Sequence, residues 1–187
     1  MEVTKTKIEG LLIIEPKAFA DDRGFFMETY NRDRYVEAGI AETFVQDNVS
    51  VSKKGTLRGL HYQAPPFAQG KLVQVLRGSV IDVAVDIRSG SPTFGQYVAV
   101  ELSAENKKQF WLPVGFAHGF VALEDDTVFS YKCTNVYSPE CDRGVLWSDP
   151  QIGIVWPFPE SELLISDKDK KQPLLKDIAQ EFAFIQK

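Results

Sequence analysis

The feature that most constrains this chain is its cadence. Short runs of alternating or continuous apolar residues follow one another, each cut off by Gly, Pro, Asn, Asp or a charged turn. Val3 to Glu15 alternates and stops at Pro16, and Arg23 to Tyr30 is entered through Asp22-Arg23-Gly24. Phe44 to Ser52, Thr56 to Gln63, Lys71 to Leu76, Val80 to Ile87, Gln96 to Leu102, Phe110 to Leu112, Phe120 to Leu123 and Thr127 to Thr134 continue the series. Arg77-Gly78-Ser79 and Glu124-Asp125-Asp126 read as hairpin turns. Strand after strand at short spacing predicts an all-β sandwich or barrel. One short helix interrupts it: Asn31 can cap Arg32 to Ala38, and Gly39 suits the position just past its end. Val155 to Glu160 is Pro-rich and irregular. Beyond it, Leu174, Leu175, Ile178, Phe182 and Ile185 fall on one stripe of a helix over Pro173 to Ile185. With no repeat or linker, residues 1–187 read as one domain, a strand-rich body over about 3–160 and a C-terminal tail and helix over about 161–187.

Composition narrows the chemistry. With 44% apolar and 25% charged residues over 187 positions, the chain has the make-up of a globular protein. It holds two histidines, His61 and His118. A mononuclear metal site commonly takes two or three imidazoles, which would leave none for acid–base work. Neither histidine belongs to a His-x-His pair; Gln63 and Phe120 stand two residues after them. A metal site of that kind is therefore not expected. Cys133 and Cys141 are too few for a disulfide framework. The first ten residues lack the form of a signal peptide, and no apolar run reaches membrane-spanning length, so a soluble cytoplasmic protein without a membrane partner is expected. A net charge of −5 without a basic block argues against a nucleic-acid partner. A small anion, needing only local positive charge, remains open.

Several segments could carry chemistry, and each also has a plain structural reading. In Arg58-Gly59-Leu60-His61-Tyr62-Gln63, strict alternation puts His61 on the face opposite Arg58, unless Gly59 marks a bulge. A lone His in a β-rich chain is more often structural than catalytic. Lys71, between Gly70 and Leu72, is either a snorkelling lysine or a fixed cation for a developing oxyanion. His118 lies among Gly115, Phe116, Ala117 and Gly119, in a turn leading to a strand. Tyr131 sits within a strand, where a satisfied core hydroxyl is the ordinary outcome. Ser166-Asp167-Lys168-Asp169 reads as a charged turn, and Asp22 to Glu28 as an ordinary hairpin.

Taken together and in order, the motifs are specific. They are Gln46-Asp47-Asn48, Leu57 to Gln63, Gln69-Gly70-Lys71-Leu72-Val73, Ser91 to Gly95, Pro113 to Phe120, Tyr131-Lys132-Cys133-Thr134, Arg143 to Pro150, and Ser166 to Asp169. From about Ile8 to Asp169 the chain resembles the dTDP-4-dehydrorhamnose 3,5-epimerase family. The resemblance implies a cupin-like jelly-roll β-sandwich, a homodimer, a dTDP-4-keto-6-deoxy sugar substrate, and no metal or organic cofactor. It implies His61 as the base, Asp169 as the group that orients it, Tyr131 as the acid on the opposite face, and Lys71 at the keto oxygen. It implies substrate contacts at Arg23, Glu28, Gln46, Asn48, Arg58, His118, Tyr137 and Lys168, the first segment being one that a neighbouring subunit can donate. Phe26 or Tyr137 offers a ring for thymine. Asp142 stands where the family often has a longer, substrate-contacting Glu, and Ala64 to Ala68 is individual to this chain. The alternatives are an epimerase acting at one carbon, a ketoisomerase of similar fold, and a silent sugar-nucleotide binding module.

Overall fold

The computed structural model describes residues 1–185. β1 (Glu2–Lys5) and β2 (Leu12–Glu15) pair antiparallel, so the single strand expected over Val3 to Glu15 is a hairpin. The break falls near Gly10, whose φ of +102° a side-chain-bearing residue rarely adopts. β3 (Ala18–Asp21) and β4 (Gly24–Met27) form a two-stranded sheet of their own. Then comes α1 (Arg32–Glu37). The Asn31 side chain accepts the Arg34 N–H, and Gly39 follows the helix at φ +92°, both as the caps predict.

The body consists of β5 (Gln46–Ser52), β6 (Thr56–Gln63), β7 (Lys71–Arg77), β8 (Ser79–Asp86), β9 (Tyr97–Ser103), β10 (Gln109–Leu112), β11 (Phe116–Ala122) and β12 (Thr127–Cys133). β13 (Asp142–Gly144) and β14 (Leu164–Ile165) follow. One six-stranded sheet runs β1-β2-β10-β7-β12-β5. The other runs β13-β6-β11-β8-β9, with β14 also pairing β6. Apolar side chains from both sheets meet in one cluster: Val73, Phe110 and Phe129 from the first, Val80, Ala84, Val100 and Phe120 from the second. Burial of that apolar surface is the main favourable term holding the sheets together.

The two expected hairpins are not hairpins. The turn at Gly78 joins β7 to β8, and the turn at Glu124 to Asp126 joins β11 to β12, yet each pair is split between the sheets. Alternation along a strand reports which residues are buried, not which sheet the next strand joins. Gly78 marks the crossing: a Cβ there would lie 2.5 Å from Thr127 Oγ1, so the corner packs directly on the start of β12. His118 also sits within β11 rather than in a turn before it.

The C-terminal helix is absent. Leu175–Asp177 makes one 3-10 turn, and Ala183 then bridges Ser89 in parallel. The stripe is nonetheless real, because Leu175 and Phe182 are buried and Ile178 packs beside them. They are held as an extended strap. The Leu175 N–H donates to Asp149 Oδ2 at 2.6 Å, Ser89 N–H to Phe182 O at 2.8 Å, and Phe184 N–H to Ser89 O at 2.9 Å. Once the main-chain groups find partners on the body, helical bonds are unnecessary.

Candidate active site

β6 and β11 fall out of step at one place. His61 faces His118 and Arg58 faces Phe120, so Gly59 and Leu60 together oppose Gly119. This is a β-bulge. It overrides strict alternation and turns Arg58 and His61 into the same cavity. Only glycine fits there: Gly59 has φ +127°, and a Cβ would stand 2.6 Å from Gly119 Cα. Its N–H points at Asp169 Oδ2 at 3.3 Å, while His61 Nε2 lies 2.6 Å from Asp169 Oδ1. Burial pushes the Asp169 carboxyl up, but His61, the Gly59 N–H and Ser166 outweigh it and leave the group below the usual carboxylate range. An ionised carboxylate only accepts hydrogen bonds, so Nε2 carries the proton and Nδ1 keeps the free lone pair. With its side chain 32% exposed, His61 is open to a ligand.

Lys71 and Tyr131 enter the cavity from the other sheet, on β7 and β12. The space is about 680 Å³ and adjoins a second of about 410 Å³ that shares His61, Lys71, Tyr131 and Lys168. Burial raises the Tyr131 hydroxyl, with Cys133 adding and Arg58 opposing, so its proton stays on at neutral pH. Burial lowers the Lys71 ammonium against the opposing pull of Cys133, Asp142 and Asp82.

His118 lines the same cavity, and its Nε2 lies 2.9 and 3.1 Å from the two oxygens of Asp82. Asp82 is fully buried. Sequence reasoning passed over it. The signal was available: an acid in the middle of Val80-Ile81-Asp82-Val83-Ala84-Val85, a run otherwise apolar.

The second space is lined by Gln46, Asn48, Gln63, Gln69, Tyr137 and Asp142 among others. Gln46 Nε2 donates to Asn48 Oδ1 at 3.1 Å. Lys168 bonds Asp142, whose Oδ2 also accepts from Tyr137 Oη at 3.2 Å. That bond, with the Asp142 charge, raises the Lys168 ammonium. Arg58 donates from Nε to Ser52 Oγ at 3.2 Å, which aligns it along the cavity wall. Three expected contacts are elsewhere. Arg23 and Phe26 lie on the β3–β4 hairpin, with Arg23 paired to Asp21, and Glu28 pairs with Arg34. None of the three lines either space.

Among the described residues, no group of three His, Cys, Asp or Glu is placed to hold a metal ion. No helix among them is long and apolar enough to cross a membrane. What the arrangement offers is an imidazole and a phenol from different sheets, with Arg58, Lys71 and Lys168 lining the same cavity.

Comparison with known proteins agrees with that arrangement. A family model described as dTDP-4-dehydrorhamnose 3,5-epimerase matches residues 5–177. A dTDP-4-dehydrorhamnose 3,5-epimerase of Shigella flexneri is 58% identical over 170 residues, 90% of this chain and 93% of that protein. One from Salmonella typhimurium is 57% identical over 94% of this chain and 96% of its own length. A crystal structure of a dTDP-6-deoxy-D-glucose-3,5-epimerase from Legionella pneumophila, in complex with dTDP-4-keto-L-rhamnose, superposes with a TM-score of 0.95 at 52% identity, covering 99% of each chain.

Proposed function

The chain belongs to the dTDP-4-dehydrorhamnose 3,5-epimerase family, and from that premise we propose how its residues divide the reaction. The enzyme epimerises dTDP-4-dehydro-6-deoxy-D-glucose at C3 and C5 to dTDP-4-dehydro-L-rhamnose, a step of dTDP-L-rhamnose synthesis. One observation carries the division of labour: His61 and Tyr131 reach one cavity from different sheets, with Lys71 beside them. A sugar lying between the sheets presents one face to each.

His61 Nδ1 takes the proton from the carbon next to the ketone. The bonding pair moves into the C–C link, and the C4 oxygen gains charge. Lys71 stabilises that oxygen, where a preorganised donor in a water-poor site is worth several kcal/mol. Tyr131 returns a proton to the opposite face and regains one from solvent, while His61 releases to solvent the proton it took. Asp169 holds the His61 tautomer and balances the imidazolium. The same sequence then serves the second carbon. Oxidation states do not change, so the reading calls on no redox cofactor. Arg58 and Lys168 meet the diphosphate by charge-assisted bonds. His118 contacts the sugar, and Gln46, Asn48, Tyr137 and Asp142 line the approach for the rest of the substrate.

Arg23, Phe26 and Glu28 suit a different copy of the chain. Phe19, Phe25 and Phe26 are exposed on their hairpin, and Val49 and Val51 are exposed on β5, an edge strand. A homodimer would cover these surfaces and bring the hairpin to the neighbour's cavity. The protein so understood is one cytoplasmic domain over residues 1–187, with no nucleic-acid or membrane partner. Its eight strands β5 to β12 form a jelly roll, a reading supported by the neighbour orders β5-β12-β7-β10 and β6-β11-β8-β9.

Incubation with the 4-keto sugar in D₂O tests the function. Deuterium is expected at both C3 and C5. A folded sample that incorporates none would falsify the enzymatic reading, and deuterium at one carbon alone would replace it with single-centre epimerisation.

A further inference from the structure

The two buried acids of β8 differ in a way the fold does not explain. Asp86 is tied up locally: it accepts from the Arg88 backbone N–H and guanidinium, and from the Ser91 and Thr93 hydroxyls. It builds a turn. Asp82 projects from the middle of the strand, between Val80 and Ala84 of the core cluster, and His118 is the hydrogen-bond partner it has among the described residues. A buried carboxylate with so little support is a weaker choice for stability than an apolar residue of similar volume. Its presence calls for a job outside folding.

We propose that Asp82 is a positioning residue for the epimerisation, fixing the His118 ring in the cavity that His118 shares with Lys71 and setting a carboxylate behind that wall. The proposal rests on the function proposed above. The groups facing Lys71 come from several elements. Cys133 and Tyr131 lie on β12, His61 on β6, His118 on β11, Asp142 on β13, and Lys168 and Asp169 follow β14. Most cannot balance an ammonium at neutral pH. Burial pushes the Cys133 thiol up, which leaves it uncharged, and the Tyr131 hydroxyl is raised as well. Asp142 is engaged by Lys168, and Asp169 by His61. Asp82 is the carboxylate left over. Burial raises its own carboxyl, and the opposing pull of His118 and Lys71 reduces that rise without cancelling it. Its oxygens also dictate how His118 stands: with Nε2–H aimed at Asp82, Nδ1 is left for the ligand side.

The near-isosteric variant Asp82→Asn removes the charge and keeps the shape. Its kcat is expected to fall about tenfold or more with KM little changed, and the alkaline limb of kcat against pH to move to lower pH, because Lys71 then loses its proton more readily. A merely structural Asp82 would not move the limb. A folded variant with kcat within about twofold of wild type and an unmoved limb overturns the proposal. Should the variant fail to fold, ¹⁵N spectra of wild-type imidazoles decide: His118 must carry its proton on Nε2 above neutral pH, and the other tautomer overturns the proposal. Wild type that exchanges deuterium normally while Asp82→Asn matches it defeats this inference alone; wild type that exchanges none defeats the reaction as well.

Discussion

His61 and His118 face each other across adjacent strands, and each bonds an aspartate through Nε2, yet the two pairs are built differently. Asp169 comes from the C-terminal tail and has further donors in Gly59 and Ser166, and its imidazole is partly open. Asp82 comes from the apolar core and has His118 alone as hydrogen-bond partner among the described residues, and its imidazole is buried. The first pair suits a ring that gains and loses a proton each turnover, since Gly59 and Ser166 add to His61 in holding the carboxyl below the usual range. The second suits a ring that is held still. The same two residue types thus take different roles according to how much solvent and how many donors surround the acid.

The comparison is easiest to break at the imidazoles. His61→Asn should cut deuterium uptake at both carbons by roughly 10²- to 10⁴-fold, the usual worth of a general base. His118→Asn should cost about tenfold, as loss of a positioned contact. Exchange rates by NMR decide, and the opposite ranking would swap the roles. Asp169→Asn falls between the two, with kcat expected to fall about 10²-fold as the tautomer is released. This variant also carries a pH signature. The folded Asp169 carboxyl lies below its unfolded value of 3.8. Its ionisation therefore stabilises the fold fully above that value, and the gain is lost as pH falls through the lower, folded one. Urea midpoints of wild type and Asp169→Asn should differ at pH 7 and converge in strong acid. Stability rather than chemistry is the first thing Gly59→Ala should change, because it strains the bulge that serves His61 and not Asp82. About 1–3 kcal/mol of stability should be lost, read as a lower Tm, along with activity. An unchanged Tm would show that the bulge tolerates a Cβ.

Much of the local structure was legible. β6 spans Thr56–Gln63 as the pattern predicts, and α1 carries the expected cap. The bulge at Gly59 was foreseeable as one of two readings. The resemblance implies roles for His61, Lys71, Tyr131, Arg58, His118, Lys168 and Asp169, and these seven line one cavity. Other features were not legible. The helix expected at Pro173 to Ile185 failed because its spacing also fits an extended strap whose backbone bonds go to Ser89 and Asp149. The turns at Gly78 and Glu124 to Asp126 were read as hairpins because turn chemistry does not say whether the chain stays in its sheet. Asp82 was missed because one acid in an apolar strand looks like noise until its partner is seen.

The sequence by itself determined the strand-rich character of this protein, its helix cap, its bulge glycine and the types of group its chemistry needs. Those properties depend on backbone torsions and on neighbours a few residues apart. Only the tertiary structure decided which of those groups meet. Asp169 lies 108 residues from His61 and Asp82 lies 36 from His118. No local pattern encodes such pairings, because they exist only once two sheets close on a shared core and bring distant strands within hydrogen-bond reach.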